Sequence, residues 1–109
     1  MKLHCIDISG SMSHGQLYRA QYEVLKRKAP EDIVAIFDTG FKVLTDIETD
    51  IREQVKKLWE QKIIGLGGTD ATSVLKFAEQ LKADTVLYSD GYLLTDQLEA
   101  FGEFVEIVW

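Results

Sequence analysis

Short runs of consecutive apolar residues alternate along the chain with longer stretches in which apolar residues recur every three or four positions. In the first run His4, Ile6 and Ile8 alternate with Leu3, Cys5 and Asp7, mostly apolar on both faces, which predicts a central parallel strand. Leu17, Ala20, Val24 and Leu25 then form one stripe of a helix over about 14–28, opened by Ser13 and left before Pro30. "DIVAIF" (32–37) reads as a second buried strand, and "DTG" turns it into "FKVLTD" (41–46), an antiparallel hairpin partner. A second helix, capped by Thr49 or Asp50, carries Ile51, Val55, Leu58 and Trp59 as its buried stripe.

"IIGLGGTD" (63–70) is too rich in glycine for regular structure. Ala71, Val74, Leu75, Ala78 and Leu81 mark a third amphipathic helix, and "DTVLYSDG" (84–91) a fourth strand. "LTDQLEAFG" (94–102) predicts a short helix capped by Thr95 and stopped by Gly102, and "EFVEIVW" (103–109) a fifth strand. The order β-α-β-β-α-α-β-α-β is that of an open three-layer α/β sandwich. Right-handed crossovers reduce the topologies to a mostly parallel five-stranded sheet of order 3-2-1-4-5, with strand 3 antiparallel at one edge. The chain then leaves strands 1 and 4 toward opposite sides. The crevice between their carboxyl ends is a topological switch point, where open α/β sheets bind ligands.

Composition narrows the classes. A length of 109 residues predicts a single domain over 1–109, and 46% hydrophobic with 28% charged residues is the balance of a globular chain. No segment approaches the ~20 apolar residues of a membrane span, and the start lacks a signal peptide's apolar region, so no membrane partner is expected. A lone cysteine, Cys5, asks for no oxidising compartment, and the expected location is the cytoplasm. A net charge of −6 opposes attraction to phosphate backbones, which excludes nucleic acid as the expected partner.

The chemistry gathers at the switch point. "DISGSMS" follows the first strand and supplies Asp7, Ser9 and Ser11; "GLGGTD" supplies Thr69; "YSDG" supplies Asp90. All these donors are oxygen, which suits Mg²⁺ or Mn²⁺ rather than zinc. Gly10 lets the loop bend so that both serine hydroxyls touch one ion. Direct ligation by the neutral hydroxyls of Ser9, Ser11 and Thr69 leaves such an ion poorly neutralised. Asp7 and Asp90 are then best used just outside, accepting hydrogen bonds from bound water and from the serines. An ion held this way is electrophilic toward an anionic oxygen, so the site recruits a carboxylate.

"DISGSM", "GGTD" and "SDG", in that order, resemble the metal-ion-dependent adhesion site (MIDAS) of von Willebrand factor A-type (VWA) domains. The signature there is Asp-x-Ser-x-Ser, a distant Thr and a distant Asp, matched by Asp7, Ser9, Ser11, Thr69 and Asp90. "SGSM", "GGTD" and the "IFDTGFKV" hairpin are especially similar to minimal prokaryotic and phage intracellular members, some encoded with AAA+ ATPases or metallopeptidase-like segments. The resemblance implies a Rossmann-like fold and a Mg²⁺-assisted protein-binding module, not an enzyme. Its partner would supply a Glu or Asp to the metal, with an AAA+ ATPase system as one source. Family domains are commonly longer, with a sixth strand and a closing helix, so this sequence is read as a minimal version. The apolar "FVEIVW" is then an uncovered edge, expected to pair with a second copy or another partner.

Other residues take plainer readings. Asp70 is a helix cap, Asp38 a turn residue, His14 a solvated rim residue, His4 a satisfied core residue and Cys5 a small buried hydrophobe. Met12 belongs to the motif sequence and equally suits an apolar contact for a partner at the rim, and Lys26–Lys28 complement a helix end. Two alternatives stay open: a haloacid-dehalogenase-like phosphatase and a structural subunit with an empty site. The phosphatase wants a second carboxylate two residues after the first, where Ser9 stands, and a lysine near the phosphate.

Overall fold

A computed structural model describes residues 1–61 and 68–108. Its elements are β1 (Lys2–Asp7), α1 (His14–Arg27), β2 (Ile33–Phe37), β3 (Phe41–Leu44), α2 (Ile51–Glu60), α3 (Thr72–Leu81), β4 (Asp84–Ser89), α4 (Thr95–Glu99) and β5 (Glu103–Glu106). They form one sheet of order β3-β2-β1-β4-β5. All neighbours are parallel except β2 and β3, which form an antiparallel hairpin, as the pattern predicts.

Alternation along the strands divides the core in two. Ile6, Val34, Ile36, Val86 and Tyr88 face α1 and α2, meeting Leu17, Ala20, Val24 and Ile51. Leu3, Cys5, Ala35, Phe37 and Leu87 face α3 and the β5 approach, meeting Ala71, Val74, Ala78 and Phe101. Each fully buried aliphatic or Phe side chain contributes about 1.5–3 kcal/mol. The sheet is therefore covered on both faces, as a central parallel strand requires.

The helices begin largely as their sequences direct. Ser13 and Gln16 form a reciprocal capping box on α1, and the Asp50 carboxylate caps α2 through the Arg52 N–H. Asp70 accepts the N–H and hydroxyl of Thr72 and so caps α3 from just outside its first turn. Buried Gln21 ties α1 to α2: its amide donates to the carbonyls of Ile47 and Thr49, and its oxygen accepts the Ile51 N–H.

Several boundaries and burials differ from the sequence reading. Leu25 is 45% exposed and Trp59 61% exposed, because each lies one residue beyond the stripe, where a helical step of 100° turns it outward. Helix α4 has Leu94 at its cap with no side-chain bond, so Thr95 does not cap it. Gly102 does not stop it either, since the helix ends at Glu99; the Gly102 N–H instead bonds Thr85 Oγ1. Strand β3 ends at Leu44 because Asp46 takes the N–H groups of Glu48 and Thr49 in a turn. Strand β5 is only four residues long, and Ile107 beyond it is buried, so the exposed edge is shorter than the "FVEIVW" run. The irregular reading of 63–70 falls mostly on residues outside those described; Gly68, Thr69 and Asp70 are irregular.

Among the described residues, no helix is long and apolar enough to cross a membrane.

Candidate metal centre

Strand register brings the first carboxylate to the fourth strand. The pairing that sets Cys5 against Leu87 carries on to place Asp7 beside Ser89, both at the strands' carboxyl ends. The Ser89 hydroxyl donates to Asp7 Oδ2 at 2.7 Å. Its single proton is thereby used, and Asp90 Oδ1 lies farther off at 3.4 Å. The Gly91 N–H donates to the same Ser89 oxygen, in a turn where Gly91 adopts φ 89°, a conformation that favours glycine.

Asp7 also shapes the serine loop. Its Oδ1 accepts the Ser9 N–H at 2.8 Å, and the Ser9 carbonyl accepts the Met12 N–H, which folds the loop back toward α1. The hydroxyls of Ser9 and Ser11 then stand 3.0 Å apart. Gly10 contributes differently from the expectation. It carries no positive φ, and a Cβ there would meet nothing within 4 Å, so the loop does not need a glycine to bend. Asp7 is fully buried and Ser9 nearly so.

The electrostatics are lopsided. Burial pushes the Asp7 carboxyl above its ordinary value, and the charge of Asp90 adds to this; the bonds from Ser9 and Ser89 only partly oppose it. The ion pairs among the described residues are Lys2–Glu103, His4–Asp32, Arg27–Glu23 and Arg52–Asp50, and none includes Asp7 or Asp90. Among the described residues, two carboxylates thus flank one hydroxyl, which serves Asp7, without a cationic side chain in an ion pair with either.

Thr69 reaches the same end of the sheet by another route. It is half-buried, and the next residue, Asp70, donates its N–H to the Asp38 carbonyl at 2.7 Å. The bonds that join Asp7, Ser9, Ser11 and Asp90 to one another or to Ser89 do not include Thr69. Asp38 is a buried turn residue, its Oδ1 accepting the N–H groups of Thr39 and Gly40.

The donor set fits a small hard cation. Mg²⁺ prefers six oxygens at about 2.0–2.1 Å, and neighbouring corners of such an octahedron lie about 2.8–3.0 Å apart. The Ser9 and Ser11 oxygens already have that spacing. No three of His, Cys, Asp and Glu gather into a metal-holding group among the described residues, and this hydroxyl-rich set has only two acids. Cys5 is no competitor: burial pushes its thiol up to about 12, so it holds its proton.

Two neighbouring residues depart from, or add to, the sequence reading. Met12 is 5% exposed and packs in the core with Leu17, because the turn that follows Ser9 carries it inward, where it also lines a cleft. His14 is exposed, as expected. Ser89, the hydroxyl that links the two carboxylates, was missed. Its signal was the parity of β1 and β4, which puts Asp7 and Ser89 on one face. Between the serine loop and α2 the described residues leave a cleft of about 880 Å³, with Ile8, Met12 and Leu17 among its walls.

Fold and site together define an open α/β sandwich with an oxygen-rich constellation at its switch point. No protein-family model matches the chain, and no curated protein matches it.

Proposed function

We propose that this chain is a divalent-cation-dependent protein-binding module of the VWA type, which recruits an acidic side chain of a partner protein. The observation that carries the reading is the 3.0 Å pair of serine oxygens beside the Asp7–Ser89–Asp90 chain. Ser9, Ser11 and Thr69 would hold Mg²⁺ or Mn²⁺ directly, while Asp7 and Asp90 balance its charge from outside. Bound there, the cation supplies an electrophilic position for a Glu or Asp oxygen. Asp7 keeps the serine loop in place through the Ser9 N–H, and Ser89 keeps Asp7 in place.

The resemblance of the three motifs to a MIDAS supports this reading, as does the buried, cation-poor setting of Asp7. It also names an AAA+ ATPase system as a source of the partner, and a reduced Cys5 agrees with a cytoplasmic setting. Phosphoryl chemistry is disfavoured because Ser9 stands where an acid/base carboxylate would act, help typically worth about 10²–10⁴-fold.

Calorimetric titration with Mn²⁺ tests the proposal. Wild type binds; Ser9→Ala and Thr69→Ala lose most of that affinity while circular dichroism reports an intact fold. Unchanged affinity in both variants overturns the reading, as does robust phosphate-ester hydrolysis abolished by Asp7→Asn.

A further inference from the structure

Thr69 is the one member of the constellation that no hydrogen bond joins to the rest, yet both of its chain neighbours are held. On one side, the Asp70 N–H donates to the Asp38 carbonyl at 2.7 Å. On the other, Gly68 lies so close to Thr39 that a Cβ on it would come within 2.8 Å of Thr39 Cγ2. Both supports belong to the turn between β2 and β3, and that turn is itself closed by the Asp38 carboxylate on the Thr39 and Gly40 N–H groups. The turn is anchored at its root, because the Ile8 N–H continues the ladder onto the Phe37 carbonyl, next to both Asp7 and Asp38.

We infer that the β2–β3 turn is the abutment that positions Thr69 against the serine loop, with Gly68 and Asp38 as positioning residues. The inference rests on the cation-site reading and adds to it a third loop that touches no cation. Gly68 is needed for close approach: a methyl group there pushes the Thr69 loop away from the turn or forces Thr39 to give. Thr39 is β-branched and stiff at χ1, which favours movement of the loop. The turn also carries a cost. Thr39 Oγ1 is buried with no hydrogen-bond partner among the described residues, which works against stability.

The test is a double-mutant cycle read by Mn²⁺ calorimetry on the full chain, with thermal melting alongside. Gly68→Ala is expected to lower Mn²⁺ affinity about tenfold, the scale of losing a residue that orients a metal ligand, with the melting temperature little changed. Thr39→Ser removes the methyl that the new Cβ would strike, so alone it keeps wild-type affinity. Combined with Gly68→Ala it restores most of what Gly68→Ala lost. Such rescue separates positioning from general damage, since removing a buried methyl would otherwise add to the defect. If Gly68→Ala binds Mn²⁺ like wild type, or Thr39→Ser fails to rescue it, the inference is overturned while loss of binding in Ser9→Ala and Thr69→Ala leaves the cation site standing. If those two also bind like wild type, the cation site itself falls.

Discussion

Two buried aspartates, near opposite ends of the central strands, have been treated in opposite ways. Asp32, just before β2, accepts the Lys2 N–H on one oxygen and the Ala29 N–H and His4 Nε2–H on the other. Burial works against its charge, but those bonds, led by the one from His4, outweigh it and hold the carboxyl below the usual carboxylate range. The other ring nitrogen of His4 pairs with the Tyr88 hydroxyl at 2.7 Å, and burial keeps that phenol protonated. Asp7, at the carboxyl end of β1, has one N–H, one hydroxyl and a second carboxylate nearby, and its pKa moves up. Asp7 is the more deeply buried of the two. The difference is depth and partner together: three donors complete Asp32, while burial, and to a lesser degree the charge of Asp90, works against the charge of Asp7. The Asp7 end agrees with the cation site proposed above, whereas the carboxylate of the His4 cluster is matched by donors from Lys2, Ala29 and His4.

The largest expected effect comes from breaking the completed end. Asp32→Ala should lower unfolding free energy by about 2–4 kcal/mol in urea titration, because it strands His4 Nε2 and two backbone N–H groups. The folded-state pKa of Asp32 lies below its unfolded value of about 3.9, so its contribution is complete above that value and is lost as pH falls toward the folded pKa. The stability gap between wild type and Asp32→Ala should therefore narrow below about pH 4. A gap of constant size down to acid unfolding would show that the carboxylate's charge is not what stabilises the cluster.

A smaller effect, of the opposite sign, is expected at the other end. Asp7→Asn removes one of two crowded charges and should leave stability at pH 7 unchanged or raised by about 1 kcal/mol, while abolishing Mn²⁺ binding. A loss of more than about 2 kcal/mol would make Asp7 a structural group like Asp32 and end the contrast. The same logic gives wild type a cation response: Mn²⁺ at ten times Kd should stabilise it by about 1.4 kcal/mol, and EDTA should remove that gain.

The smallest effect concerns neither end but the β5 edge, where Phe104 is 42% exposed and Val108 more so. Glu103, held by Lys2, and Glu106 flank the strand with charge, and its length of four residues limits pairing. We propose that any self-association uses this edge and is weak. Light scattering at rising concentration should show little dimer, and Phe104→Lys should remove what there is at a stability cost under about 1 kcal/mol. A dimer that survives Phe104→Lys would place the interface elsewhere.

Periodicity alone was enough for the order of elements, for the 3-2-1-4-5 sheet and for Asp7 and Asp90 at neighbouring strand ends. These follow from local rules: alternation for strands, a 3.6-residue stripe for helices, and the handedness of crossovers. Plainer local readings held as well, such as His4 in the core and Asp38 in its turn. Stripe edges were less legible, because Leu25 and Trp59 differ by one helical step from buried Val24 and partly buried Leu58, and only packing against a particular partner decides that step. Local caps such as Ser13 and Asp50 were legible, but hydrogen-bond partners distant in sequence were not. Ser89 reaches Asp7 across 82 residues, His4 reaches Asp32 across 28 and Tyr88 across 84; register sets Asp7 beside Ser89, and it sets His4 opposite Val34 and Val86, two positions from Asp32 and Tyr88 on the same face. Hydrophobic pattern is written into each segment by the need to bury one face, but which polar group meets which is a property of the assembled sheet. The two aspartates are alike in sequence, and their different charge environments come from tertiary structure.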